Sequence, residues 1–198
     1  TPQPSADPLT DDLLDEAAKN LVQFFDSVHG GFGEGPKFPT VPPLSLLLRQ
    51  TARTKDDSYQ EQVLLQLRTM AAGGIYDHLG GGFHRYSVDG QWLIPHFEKM
   101  LYDNAQLVRI YLDGWRLTKE NRFREVVEET LEYVRRELTH PDGAFLAAQD
   151  ADSEGHEGTY FVWEPGEIVE VLGADLAEEF CRCYGVTENG NFEGKNVL

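Results

Sequence analysis

Gly81-Gly82-Phe83 has a counterpart on either side of it, Gly30-Gly31-Phe32 before and Asp142-Gly143-Ala144-Phe145 after. Each follows a helical stretch, and the aromatic positions 32, 83 and 145 lie 51 and then 62 residues apart. A spacing of this order marks an array of supersecondary units rather than one irregular domain. Polar and aromatic residues crowd into these loops, while the segments between them read as amphipathic helix. The pattern predicts helical hairpins arrayed with their chemistry on one face.

Working outward from the loops, helices are expected over 11–28, with Thr10 as N-cap, and over 43–53 and 57–72. Phe83 to Val88 and Gln91 to Ile94, around Asp89-Gly90, read as a β-hairpin, because Asp-Gly supplies the positive φ that a tight turn needs. Helices follow over 96–117 and 122–138. A second hairpin is expected between 145–149 and 159–163 around an acidic loop. Short helices close the pattern over 165–172, with Pro165 at the start, and over 174–184.

Composition narrows the functional classes. The chain has 198 residues, 40% of them hydrophobic, with 17 Lys+Arg against 34 Asp+Glu and a net charge of -17. That balance argues against nucleic acid as a partner, since phosphate contacts need clustered cations. No segment approaches the roughly 20 apolar residues of a membrane helix, so no membrane partner is expected. Cys181 and Cys183 lie two apart on a predicted helix, unlike a Cys-x-x-Cys redox pair, and fit a reducing, cytoplasmic setting. No Cys/His set has zinc spacing and no cofactor motif is evident. Residues 1–10 read as linker and 11–198 as one unit. The lack of an initiator Met and the Gly/Asn-rich stretch before Leu198 suggest a piece of something longer.

Three constellations are candidates for chemistry. On a helix beginning near residue 96, His96, Lys99 and Asp103 share one quarter of the circumference, apart from the apolar face of Phe97 and Leu101. A helix end lining a pocket has this pattern, with His96 as proton shuttle and Asp103 as its partner. A solvated helix start with an i,i+4 Lys99–Asp103 pair has it too. The second is Asp150-Ala151-Asp152-Ser153-Glu154-Gly155. It imitates the opening of a calcium loop but has Phe161 where the bidentate Glu belongs, so no metal is assigned. Asp150 or Asp152 facing Asp103 or Glu98 would make a carboxylate pair, and a solvated acidic turn is the other reading. The third places His84, Arg85, Tyr86 and Trp92 on the Asp-Gly hairpin, with Phe32 and Phe38 beside Lys37. Flat rings and forked donors suit a sugar, while packing of Phe83 and Phe145 onto the helices needs no ligand.

The run from Gly73 through Asp89, Pro95-His96-Phe97-Glu98-Lys99-Met100-Leu101-Tyr102-Asp103-Asn104, Ala148-Gln149-Asp150-Ala151-Asp152-Ser153-Glu154-Gly155 and Gly31-Phe32-Gly33-Glu34-Gly35-Pro36-Lys37-Phe38-Pro39 resemble the spermatogenesis-associated protein 20-like, thioredoxin-domain-containing family. The resemblance implies an all-α, partial (α/α)6 toroid of six-hairpin glycosidase type, similar to N-acylglucosamine 2-epimerases, with short β-hairpins in its inner loops. It further implies a thioredoxin-like domain preceding the toroid in other members.

From residues and resemblance together, a carbohydrate-like ligand is expected at the loops of the whole toroid, epimerised or hydrolysed there, with little or no catalysis expected of this part alone. Arg85, Tyr86, Trp92, Glu98, Lys99 and Phe32 would hold it, with His84, His96, Asp103, Asp150 and Asp152 as acid/base groups. The alternative is a non-catalytic scaffold for a protein or peptide. Half a ring would also expose apolar helix faces and self-associate through them.

Overall fold

The structure, a computed structural model, describes residues 10–198. The linker expected at 1–10 lies outside it except for Thr10, which takes the N-cap of the first helix. Seven helices are present among the described residues: α1 (Asp11–Gln23), α2 (Val41–Thr54), α3 (Ser58–Ala72), α4 (Leu101–Thr118), α5 (Asn121–Glu137), α6 (Pro165–Leu172) and α7 (Ala174–Tyr184). The extended segments are two residues each: β1 (Tyr86–Ser87) pairs antiparallel with β2 (Pro95–His96), β3 (Lys99–Met100) with β4 (Ala148–Gln149), and β5 (Asp152–Ser153) with β6 (His156–Glu157).

The helices lie in two rows. α2 packs on α4 and α3 on α5, while the pairs α1–α2, α2–α3 and α4–α5 join the rows. An incomplete α/α ring has this arrangement. Its core is apolar and continuous: Leu44 and Leu47 of α2, Val63, Leu67 and Met70 of α3, Leu107, Ile110 and Tyr111 of α4, and Phe123 of α5 are buried together with Ile75, Phe83 and Trp92 from the second loop. The decorated loops leave the C-terminal ends of α1, α3 and α5 and lead into the N-terminal ends of α2, α4 and α6. A smaller core of Phe97, Ala151 and Val197, with Ile94, Phe161, Val162 and Phe192 packed on it, lies under the second and third loops.

Four expectations are corrected. In the first hairpin Tyr86–Ser87 pairs with Pro95–His96 rather than with Gln91–Ile94, and the positive φ falls at Trp92 instead of Asp89-Gly90. α1 stops at Gln23, five residues early, because Phe25 bridges Phe32 and Asp26 Oδ1 accepts the Val28 and His29 N–H groups, turning the chain out of the helix. α4 begins at Leu101 rather than near His96, since Pro95–His96 and Lys99–Met100 are drawn into two ladders. The second hairpin also forms elsewhere: 148–149 pairs with β3, and the tight turn falls at Glu154-Gly155, both with positive φ. Pro165–Leu172 and Ala174–Tyr184 fall where expected.

Candidate functional site

The site rests on a fastening that occurs twice. Six residues before the loop aromatic stands an Asp, giving Asp26-x-x-x-Gly30-Gly31-Phe32 and Asp77-x-x-x-Gly81-Gly82-Phe83. Each Asp caps its own turn: Oδ1 of Asp26 accepts from Val28 and His29, and Oδ1 of Asp77 from Leu79 and Gly80. The other carboxylate oxygen takes a buried lysine from a later segment. Lys37 Nζ donates to Asp26 at 2.5 Å and to the Gly30 carbonyl at 2.8 Å; Lys99 Nζ donates to Asp77 at 2.6 Å and to the Gly81 carbonyl at 2.9 Å. Burial alone would raise both carboxyls, but the lysine and the N–H donors outweigh it and hold Asp26 and Asp77 below the usual carboxylate range. The glycines let each loop lie flat on a helix. A Cβ on Gly30 would stand 2.6 Å from the backbone of Gln66 in α3, and one on Gly81 2.6 Å from that of Glu129 in α5.

Fastened in this way, the strands that follow bring the polar side chains together. Lys37 bridges Ser87, which sets Phe38 against Tyr86, ring centroids 4.7 Å apart, and β1–β2 pairing stacks Tyr86 on His96 at 5.0 Å. Phe38, Tyr86 and His96 form a continuous shelf, with about half of Phe38 open to solvent. Beside it, Arg85 Nη1 donates to Glu98 Oε2 at 2.6 Å. His96 meets Glu157 Oε1 through Nδ1 at 2.6 Å, and the Phe97 N–H reaches the same oxygen at 3.3 Å. Since a carboxylate only accepts, Nδ1 is the protonated nitrogen. Asp103 stands on the first turn of α4, and its pKa is raised to about 6, foremost by burial and further by Glu98, with Arg85 opposing.

Of the residues expected at the site, the structure gathers Arg85, Tyr86, His96, Glu98 and Asp103 on this open face. The others lie elsewhere. Trp92 is fully buried in the core, its Nε1 donating to the His29 carbonyl at 2.9 Å. Phe32 packs edge-on against Phe25 and joins the main core, leaving Phe38 as the contribution of the first loop to the shelf. Lys99 is no partner of Asp103; β3 turns it inward to Asp77, between the rings of Tyr133 and Phe161. His84 is buried, and burial with the Lys99 charge lowers its pKa to about 3. Asp150 and Asp152 are exposed, the Asp152 N–H reaching Asp150 Oδ1 at 3.1 Å in a local turn. Phe145, expected to plug its hairpin onto the helices, is 63% exposed. Asp26 and Asp77 are the participants that residue patterns leave unread, although the spacing Asp-x-x-x-Gly-Gly-Phe is present twice.

Comparison with known proteins bears on fold and ancestry. No protein-family profile matches the chain. Spermatogenesis-associated protein 20 of Homo sapiens is 41% identical over 209 aligned residues, which cover 91% of this chain and 27% of that protein. At that level the two are homologues, and the chain spans about a quarter of its relative's length. Cellobiose 2-epimerase from Bacillus thermoamylovorans B4167 superposes with a TM-score of 0.60 at 12% identity, over 88% of this chain and 54% of that one. A sugar epimerase from a ruminal bacterium superposes with a TM-score of 0.54 at 11% identity, over 86% and 53%. The fold is therefore that of a helical toroid, of which this chain matches about half.

Proposed function

We propose that the open face of the second loop binds a carbohydrate-like ligand and performs acid–base chemistry on it, epimerisation or hydrolysis. The observation that carries this reading is Asp103: a half-buried carboxyl with its pKa near 6, at the helix start where an aromatic shelf and a forked Arg85–Glu98 pair converge. A base poised near neutral pH suits abstraction of a proton beside a carbonyl. The His96–Glu157 pair on the same face is suited to the return proton transfer. The shelf would take the apolar face of a pyranose, and Arg85, held in orientation by Glu98, would present donors to its hydroxyls. The likeness of fold to two sugar epimerases supports the same reading.

Titration of the full-length protein with neutral mono- and disaccharides tests it. Saturable binding is expected, weakened at least about tenfold by Asp103→Asn, the loss of roughly one charged hydrogen bond. The same variant is expected to stabilise the fold. The folded-state pKa is raised, so burying the carboxylate costs nothing below about pH 4 and its full penalty above about pH 6. The gain should therefore appear as pH rises through that window, at about 1 kcal/mol once solvent screening is discounted. Solvent deuterium entering the carbon next to a carbonyl would mark epimerisation, and a new reducing end hydrolysis. If no sugar binds, or Asp103→Asn binds sugar as the wild type does, the proposal fails. A scaffold for a protein or peptide is the competing reading, favoured by the exposed rings of Phe145 and Tyr160; capture of a partner by a chain indifferent to every sugar would establish it.

A further inference from the structure

The strand that sends Arg85 to the open face buries its neighbour His84 against a second space. A cavity of about 500 Å³ opens there between the turn at Asp77–Gly80, the C-terminal end of α5 and the segment Tyr160–Trp163. His84 lines it and is 2% exposed, its Nδ1 2.9 Å from the Phe97 carbonyl and its ring edge-on to Phe97 at 5.3 Å and Phe161 at 4.8 Å. A carbonyl only accepts, so Nδ1 carries the proton. Burial, then the charge of Lys99, keeps the ring neutral, and Nε2 is left with a lone pair. Among the described residues Nε2 has no hydrogen-bond partner. His78 repeats the arrangement on the same cavity: its Nε2 lies 3.2 Å from the Gly73 carbonyl, which leaves Nδ1 as the acceptor. His84 Nε2 is thus an acceptor on the cavity wall that no group among the described residues satisfies, and it is open to a donor that enters the cavity.

We infer that this cavity is a second ligand site, separate from the open face, and that it takes an uncharged ring presenting an O–H or N–H donor to His84 Nε2. Charge on the ligand is disfavoured because the ionic groups at the rim are already matched. Asp77 is paired with Lys99 at 2.6 Å, and Arg136 with Glu137 at 2.7 Å and the Gly80 carbonyl at 2.7 Å. An added ion would be desolvated without a free counter-charge. Phe161, Trp163 and Tyr160 supply ring faces for the flat side of such a ligand, and the volume is that of an ordinary small-molecule site. A pyranose and a phenol or indole share this chemistry.

The test is titration of the protein, its histidine side chains labelled with nitrogen-15, with methyl glucoside, phenol and indole in turn. Saturable movement of the His84 Nε2 resonance by at least one probe is expected, and which probe moves it tells sugar from aromatic. Tyr160→Ala, on the exposed wall, should weaken that probe about three- to tenfold, the worth of one aromatic contact. His84→Leu should abolish binding, and His84→Gln, which keeps a neutral acceptor, should restore part of it. The inference is overturned if no probe moves His84 at tens of millimolar, or if the Tyr160→Ala variant binds like the wild type. A sugar that moves His96 and leaves His84 still would uphold the open face and sink the cavity; the opposite pattern would do the reverse.

Discussion

In the first loop Lys37 buries its ammonium between Asp26 and the carbonyls of Gly30 and Gly90; in the second, Lys99 does so between Asp77 and Gly81. The fastening is the same and the surroundings differ. Lys37 lies beside Trp92, 5.8 Å from its ring, in the packed core. Lys99 lies 4.4 Å from the Tyr133 ring and 5.0 Å from that of Phe161, next to the cavity that His84 lines, and its strand continues into the helix that carries Asp103. The first fastener closes the core and seats the segment that sets Phe38 on the shelf, and its twin lies beside the cavity and leads into the helix of Asp103. In the third loop His140 occupies the position of the Asp, its Nδ1 accepting the Asp142 N–H at 3.2 Å; no lysine donates to it among the described residues, and Phe145 bridges Thr139 with its ring in solvent. A repeated device is thus structural by origin, and its neighbours decide whether function is built on it.

The largest effect should come from breaking the second fastener. Lys99→Ala strands the Asp77 carboxylate, 13% exposed, and should cost about 3–5 kcal/mol in urea unfolding. Lys37→Ala should cost about half as much, because Asp26 is 21% exposed and keeps the His29 ring besides the two N–H donors that both carboxylates have. Equal losses would mean that the two fasteners are interchangeable.

Smaller effects should separate the seated glycines from the open one. Gly31 and Gly82 have φ of +83° and +80°, and a Cβ on either would come within 2.6 Å of an aromatic ring, that of Trp92 or Tyr133. Alanine there should cost about 2–4 kcal/mol, the sum of left-handed strain and overpacking. Gly143 has φ +89° and nothing within 4 Å, so Gly143→Ala should cost only the strain, about 1–2 kcal/mol. Thermal unfolding of the three variants checks the order, and a Gly143→Ala variant as unstable as the others would show that the third loop is seated too.

The smallest effect on stability falls on the third loop itself. Phe145 and Leu146 are 63% and 44% exposed, so replacing either with Ser should change unfolding by no more than about 0.5 kcal/mol. Self-association is expected through the apolar helix faces of half a ring, so these loop variants should leave the mass in light scattering unchanged. A monodisperse wild-type monomer would end that expectation.

How far the fold was legible depends on how local each signal is. α6 could be placed from Pro165, because a helix start is a local event. The start of α4 is not legible because His96 to Met100 suit a helix, whereas Pro95–His96 pair with Tyr86–Ser87 and Lys99–Met100 with Ala148–Gln149, on other segments. The same ladders took Lys99 away from Asp103 and set Glu157 beside His96. Trp92 read equally well as binding surface or plug, and only its bond to the His29 carbonyl, 63 residues back, decided for the core.

What the amino-acid order determined by itself was the helical array, its three loops and the crowding of polar and aromatic residues into them. All of these follow from periodicity and turn chemistry within a few residues. Which of those residues meet was decided by the tertiary structure. Burial, pairing and the proton affinity of groups such as His84 and Asp103 depend on charges and walls brought from far along the chain, and no local pattern encodes them.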